Sequence, residues 1–176
     1  MALNPIYTMK RFLVSMAAFA LLSGPAFATP REIGAASLVG QARFSLLGLS
    51  LFDAAVYTES GRFAWNDEFA LSLTYKRNAR EEVLLNRTIR GMTERGAGNA
   101  KALAPLRQKL AACFSDVARG DRFTAVSTGP DTARFYLNGT ESCTVQWPDF
   151  RRDFFGIWLD AKGGQAKLSA KLRGET

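Results

Sequence analysis

The chain has no histidine among its 176 residues. This removes the side chain whose ordinary pKa lies nearest neutrality, and with it the Ser-His-Asp triad and every histidine-containing metal site. Only two cysteines are present, too few for a structural zinc site without histidine. Any catalysis would fall to Tyr, Lys, Arg or carboxylates. Neither a metal nor a cofactor is expected. The sequence also lacks internal repeats, low-complexity tracts and interdomain linkers. Beyond its first segment, no apolar run approaches the roughly 20 residues that a membrane-spanning helix needs.

That first segment has a clear composition. Lys10 and Arg11 form a short basic region, Phe12 to Leu22 is apolar apart from Ser15, and Ala26-Phe27-Ala28 is a small-x-small cleavage site. These parts in this order predict a secretory signal peptide over residues 1–28, cut after Ala28, with Met9 as the natural start. The competing reading is an uncleaved anchor, which the well-formed cleavage site disfavours. The mature domain, 29–176, suits one domain with a real core. Its expected location is periplasmic or secreted. The formal charge of +7 falls to +5, because Lys10 and Arg11 leave with the signal and no acidic residue does.

The remaining basic residues are interleaved with acidic ones, as in Asp149-Phe150-Arg151-Arg152-Asp153. A scattered excess of this kind is a solvated surface, and nucleic acid is not expected as a partner. Weak attraction to anionic lipid headgroups is compatible with it. Export would place Cys113 and Cys143 in an oxidising space where a disulfide is allowed. Two buried thiols are the alternative, since Cys113 falls on an apolar helix face and sequence supplies no distance between the pair.

Hydrophobic periodicity predicts strands over Val39 to Gly48, Leu49 to Tyr57 and Glu68 to Tyr75. A helix over about 79–95 follows, with Asn78 as N-cap, Glu81 and Glu82 in its first turn, and Leu85, Ile89 and Met92 on one stripe. A second helix is expected over about 102–117, with Pro105 near its start and Leu103, Leu106, Leu110, Cys113, Phe114 and Val117 buried. Three short strands come next: Arg122 to Ser127, Ala133 to Asn138 and Ser142 to Trp147. Asn138-Gly139 is a strong hairpin signal between the last two. Asp149 is expected to cap a third helix lined by Phe150, Phe154, Ile157 and Trp158, and a short helix over about 166–173 ends the chain. Strands in hairpin-linked blocks, without β-α-β alternation, argue for an α+β fold: an antiparallel sheet with helices on one face.

Five segments stand out: Gly40-Gln41-Ala42-Arg43, Phe52-Asp53-Ala54-Ala55-Val56-Tyr57, Gly120-Asp121-Arg122, Phe135-Tyr136-Leu137-Asn138-Gly139, and Phe150 followed by Phe154-Phe155-Gly156-Ile157-Trp158-Leu159. Together they resemble the exported bacterial branch of the chalcone isomerase superfamily. The last segment is the most specific. The resemblance implies an open-faced β-sandwich, a large antiparallel sheet covered by a layer of helices with a cleft between them. It also implies a polar set for cyclising an enone: an arginine, a threonine, a tyrosine and an asparagine. Here the arginine corresponds to Arg43 and the asparagine to Asn86, while the threonine position falls on Phe52 and the tyrosine position near Ala79. Each missing donor is worth roughly 10²–10³ in rate if it acts as an oxyanion-hole group does.

The expectation is therefore a non-catalytic protein with no catalytic residues. A small apolar or fatty-acid-like ligand would be held by Arg43, Tyr75, Asn86 and Arg90, the last two sharing a helix face at i, i+4. Two alternatives stay open: an intramolecular lyase or isomerase acting on an enone-like substrate, and a structural or partner-binding envelope domain.

Overall fold

The computed structural model describes Gly34, residues 36–162 and residues 165–175. The signal-peptide expectation over 1–28, with its cleavage after Ala28, lies outside the described residues. Six strands form one sheet in sequence order, each antiparallel to its neighbour: β1 (Ser37–Leu46), β2 (Leu49–Thr58), β3 (Phe69–Tyr75), β4 (Arg122–Ser127), β5 (Thr132–Leu137) and β6 (Thr140–Gln146). Helices α1 (Glu81–Glu94) and α2 (Ala104–Ala111) lie between β3 and β4. A wide π turn (Arg151–Phe155), α3 (Gly156–Leu159) and α4 (Ala166–Leu172) follow β6. This is the expected α+β arrangement.

Alternation along the strands separates the two faces of the sheet. Phe44, Val56, Phe69, Leu71, Leu73, Phe123 and Phe135 point toward the helices. There they join Leu85, Met92, Leu106, Leu110, Phe154 and Leu172 in a single core. The opposite face holds a smaller cluster of Ala55, Tyr57, Ala70, Val126 and Tyr136, next to a buried hydroxyl pair, Ser72 Oγ and Thr124 Oγ1, 3.1 Å apart. Gly40, part of the segment singled out by sequence, is where α4 closes on β1. A Cβ there would overlap the carbonyl oxygen of Lys171 and lie 2.8 Å from that of Leu172.

Three local expectations are corrected. Asn78 does not cap α1. Its Oδ1 accepts from the Arg119 amide at 2.9 Å, and the helix starts later because Ala79 first pairs with Val117 in an antiparallel bridge. The Glu81 amide is instead met by Asp116 Oδ1 at 2.8 Å, 35 residues along the chain. The second helix stops at Ala111, not 117. Cys113 is bonded to Cys143 of β6 across a Cα separation of 5.1 Å, and Val117 is drawn to Ala79, so the chain leaves helical geometry while its apolar side chains stay buried. Asp149 caps nothing with its side chain. It sits at φ 56°, its amide donates to Asp131 Oδ1 at 2.8 Å, and the helix begins as the π turn.

That turn buries Arg151 together with Phe154 and Phe155. Arg151 Nε donates to Ser127 Oγ at 2.6 Å and Nη1 to the Trp65 carbonyl at 2.8 Å. The neighbouring Arg152 guanidinium lies 4.4 Å from the Trp65 ring centroid. These contacts staple the β2–β3 loop to the helical layer.

Candidate functional site

Between the sheet and α1, α3 and the α3–α4 loop lies a cleft of about 1500 Å3, larger than the ~300–1,000 Å3 of ordinary small-molecule sites. Its floor is the helix-facing side of the sheet, with Leu71, Leu73, Phe123 and Ala125, and Phe154 closes its inner end. The sheet supplies these side chains because every second residue of β3 and β4 faces the same way. The far wall is the face of α1 next to its core stripe: Leu84, Thr88, Gly91 and Arg95, spaced i, i+4, i+7, i+11. Gly91 lets Ile157 of α3 approach, since a Cβ there would lie 3.1 Å from Ile157 Cδ1.

Charge is distributed unevenly around this apolar interior. Six cationic side chains line the cleft (Arg77, Arg80, Arg87, Arg90, Arg95 and Lys162) against two carboxylates, Glu94 and Asp160. Both carboxylates are engaged. Glu94 accepts from Arg90 at 2.7 Å, and Asp160 accepts from Arg95 Nη2 at 2.9 Å. Arg77, Arg80 and Arg87 are exposed and have no carboxylate partner among the described residues. The cleft thus pairs an apolar floor with a cationic rim.

Tyr75, Asn86 and Arg90 all line this cleft, at different depths. Tyr75 is buried on the floor, 6.0 Å ring to ring from Phe52, and burial pushes its phenol above the ordinary value. Asn86 and Arg90 are exposed on the rim. Arg43 is the correction. It stands directly opposite Asp53 in the β1–β2 register, and its Nε donates to Asp53 Oδ1 at 2.6 Å. Alternation then puts it on the sheet face away from the helices, while its neighbours Ala42 and Phe44 face inward. The one-residue difference decides the face.

Lys76 completes this second group, with Nζ 2.8 Å from Asp53 Oδ2. The hydrogen bond from Arg43, followed by that from Lys76, holds the Asp53 carboxyl below its ordinary value despite its partial burial. A carboxyl whose folded pKa lies below its unfolded pKa stabilises the fold above the unfolded value, about 3.9. That contribution is lost as pH falls through the folded pKa. Asp53→Asn should therefore lower the Tm at pH 7, and the gap to the parent should close below about pH 4. Thermal melts at the two pH values check this, and a gap of the same size at both would refute it.

Arg95 was not anticipated from sequence. Its side chain is 22% exposed and lies across Gly156, where a Cβ would come within 2.6 Å of the Arg95 Cζ. Nη1 donates to the Asp160 carbonyl at 2.8 Å, and Nε is buried with no partner among the described residues. The Gly91 and Arg95 spacing was the available signal, but it matters only once α3 is known to cross there. The positions where the family resemblance would put a threonine and a tyrosine are Phe52 and Ala79, and both line the cleft.

Comparison with known proteins agrees with this fold. The sequence profile of a family described as chalcone isomerase-like matches residues 44–174. Among solved structures, the chain is similar to a fatty-acid binding protein of Arabidopsis thaliana, with a TM-score of 0.62 at 11% identity, over 79% of this chain and 87% of that one. No curated protein sequence matches the chain.

Proposed function

The chain belongs to the chalcone isomerase-like family, and on that basis we propose that it binds, without transforming, a small apolar or fatty-acid-like molecule in the cleft between sheet and helices. The observation that carries this reading is the composition of the cleft: an apolar floor under a rim of cations. Burial of an acyl chain against Leu71, Leu73, Phe123 and Ala125 supplies affinity in proportion to the area removed from water. Arginines at the rim supply forked donors for a carboxylate. Arg90 takes that role with Asn86 beside it, and the Tyr75 phenol lies on the floor. Arg43 takes no part.

The name of the Arabidopsis neighbour supports the ligand class by analogy of fold. Enone cyclisation is disfavoured because Phe52 and Ala79 have no group to polarise a ketone. Binding is assigned to a space outside the cytoplasm, reached after cleavage near Ala28. The signal-like N-terminal sequence supports this, and so does a disulfide, which persists in oxidising compartments.

Native mass spectrometry of the purified full-length product is the test. It should reveal a retained acyl ligand and a chain beginning at Thr29. Ala125→Trp, which pushes an indole into the cleft, should weaken uptake of a fluorescent long-chain fatty acid by about tenfold or more, the scale of losing one large side chain's worth of apolar contact. Circular dichroism would show whether the variant keeps its fold. No uptake by the parent, or chalcone turnover well above the spontaneous rate, would overturn the reading.

A further inference from the structure

The two-residue turns at one end of the sheet differ in a way that local geometry does not require. In the β5–β6 hairpin the turn is Asn138-Gly139, at φ 52° and 86°, the residue pair that a turn with two positive φ values favours. In the β1–β2 hairpin the same geometry is built from Leu47-Gly48, at φ 49° and 77°. Leucine is a poor choice there on two counts. A bulky side chain at positive φ is a conformational outlier, and Leu47 is also 94% exposed. Its neighbours repeat the pattern, with Leu46 and Leu49 at 49% and 50% exposure. Single exposed apolar residues are ordinary, but three side by side on a protruding turn mark a contact surface.

The surroundings indicate what kind of surface it meets. The strand register puts the Leu46–Leu49 turn at the same end of the sheet as the end of β3 and the start of β4. Arg77, Arg80 and Arg119 are exposed there. Acidic residues occur at this end too, with Glu82 and Glu141 exposed, but the segment that runs beside the turn, from Lys76 (amide on the Leu51 carbonyl at 2.8 Å) to Arg80, carries three cations and no acid. Asp53 is held by Arg43 and Lys76, Asp116 accepts the Glu81 amide, and Asp121 accepts the Ala118 amide and Asn138 Nδ2. An apolar tip beside this basic segment is complementary to an interface that is negative at its surface and apolar beneath.

We propose that the β1–β2 hairpin docks the protein on an anionic phospholipid bilayer, with Leu46, Leu47 and Leu49 entering the headgroup–acyl boundary and the arginines resting on the phosphates. A second copy of the chain is a poorer occupant, because a self-complementary contact would bring the same arginines together and three leucines fall short of a stable interface of about 800 Å2 per partner. Leu46 and Arg77 also line the cleft, so docking would set the cleft mouth against the membrane. The docking itself does not require the cleft to be filled.

The test uses co-sedimentation of the mature protein with vesicles of phosphatidylcholine, with and without phosphatidylglycerol. Binding should be at least about tenfold stronger with the anionic lipid, given a favourable term for each cation near the surface, and should weaken at high salt. Leu47→Asn rebuilds the Asn-Gly turn of the other hairpin, so its Tm should equal or exceed that of the parent. Its vesicle binding should fall about tenfold, the expectation for losing one inserted leucine, while fatty-acid uptake from solution stays unchanged. Arg77→Gln combined with Arg80→Gln should reduce binding to the anionic vesicles. Absence of binding by the parent, equal binding by Leu47→Asn, indifference to phosphatidylglycerol, or a dimer that Leu47→Asn dissolves would each overturn the proposal. Uptake from solution reads the cleft separately, so failure of the ligand reading and failure of the docking would be told apart.

Discussion

Replacing both Cys113 and Cys143 by serine is expected to cost the fold about 3–4 kcal/mol, the loop-closure entropy that a cross-link spanning some 30 residues removes from the unfolded chain. At roughly 2–4 °C per kcal/mol for a domain of this size, the Tm should fall by about 10 °C. The bond joins the segment after α2 to β6, a strand with one sheet neighbour among the described residues. Its loss should therefore loosen β6 and the α2 end before the centre of the sheet. Urea melts of the parent and the double variant, with hydrogen exchange to locate the change, check both parts. A Tm within about 2 °C of the parent would mean that packing alone holds β6, since that shift is worth no more than about 1 kcal/mol.

Phe135→Ala should be at least as damaging. Phe135 is fully buried, with its ring centroid 5.3 Å from Phe154, 5.7 Å from Phe123, 6.0 Å from Phe114 and 6.2 Å from Phe150. These four rings come from α2's trailing segment, from β4 and from the turn leading to α3, so they cannot all follow inward when one ring is removed. Phe-to-Ala changes at such sites cost about 3–5 kcal/mol, the lost transfer energy plus the cavity left behind. Phe123 and Phe154 also line the cleft, so, on the proposed function, the surviving fold should take up a fatty acid less tightly. Chemical denaturation combined with fatty-acid titration measures the two effects. Phe135→Leu should recover most of the stability, because it refills much of the void.

The contrast between Arg43 and Arg90 shows how far a candidate site can be read from sequence. Both are arginines in segments expected to flank a cleft. Arg90 was placed by helical spacing, which carries its own direction, and it lines the cleft with Asn86 one turn away. Arg43 is placed by a family pattern that does not fix its register in β1, and the strand turns it to the other face, onto Asp53. Arg95 illustrates the reverse case. Its spacing from Gly91 gains meaning only because Gly156 of another helix lies beneath its guanidinium.

The blocks of alternating strands, the Asn138-Gly139 turn, the stripe of α1 and the apolar face that runs from Leu103 to Val117 were all legible in the chain, as was the α+β class they imply. Each rests on a period of two or about 3.6 residues, or on turn chemistry, and so on neighbours in sequence. Cap assignments at Asn78 and Asp149, the early end of α2, the choice between a bond and two free thiols at Cys113 and Cys143, and the face taken by Arg43 were decided only by tertiary structure. Each depends on a group far along the chain, such as Asp116, Val117, Cys143, Asp131 or Asp53, competing for the same backbone or side chain. Apart from proline, local propensity is worth at most about 1 kcal/mol per residue, so a single well-placed long-range contact is enough to override it.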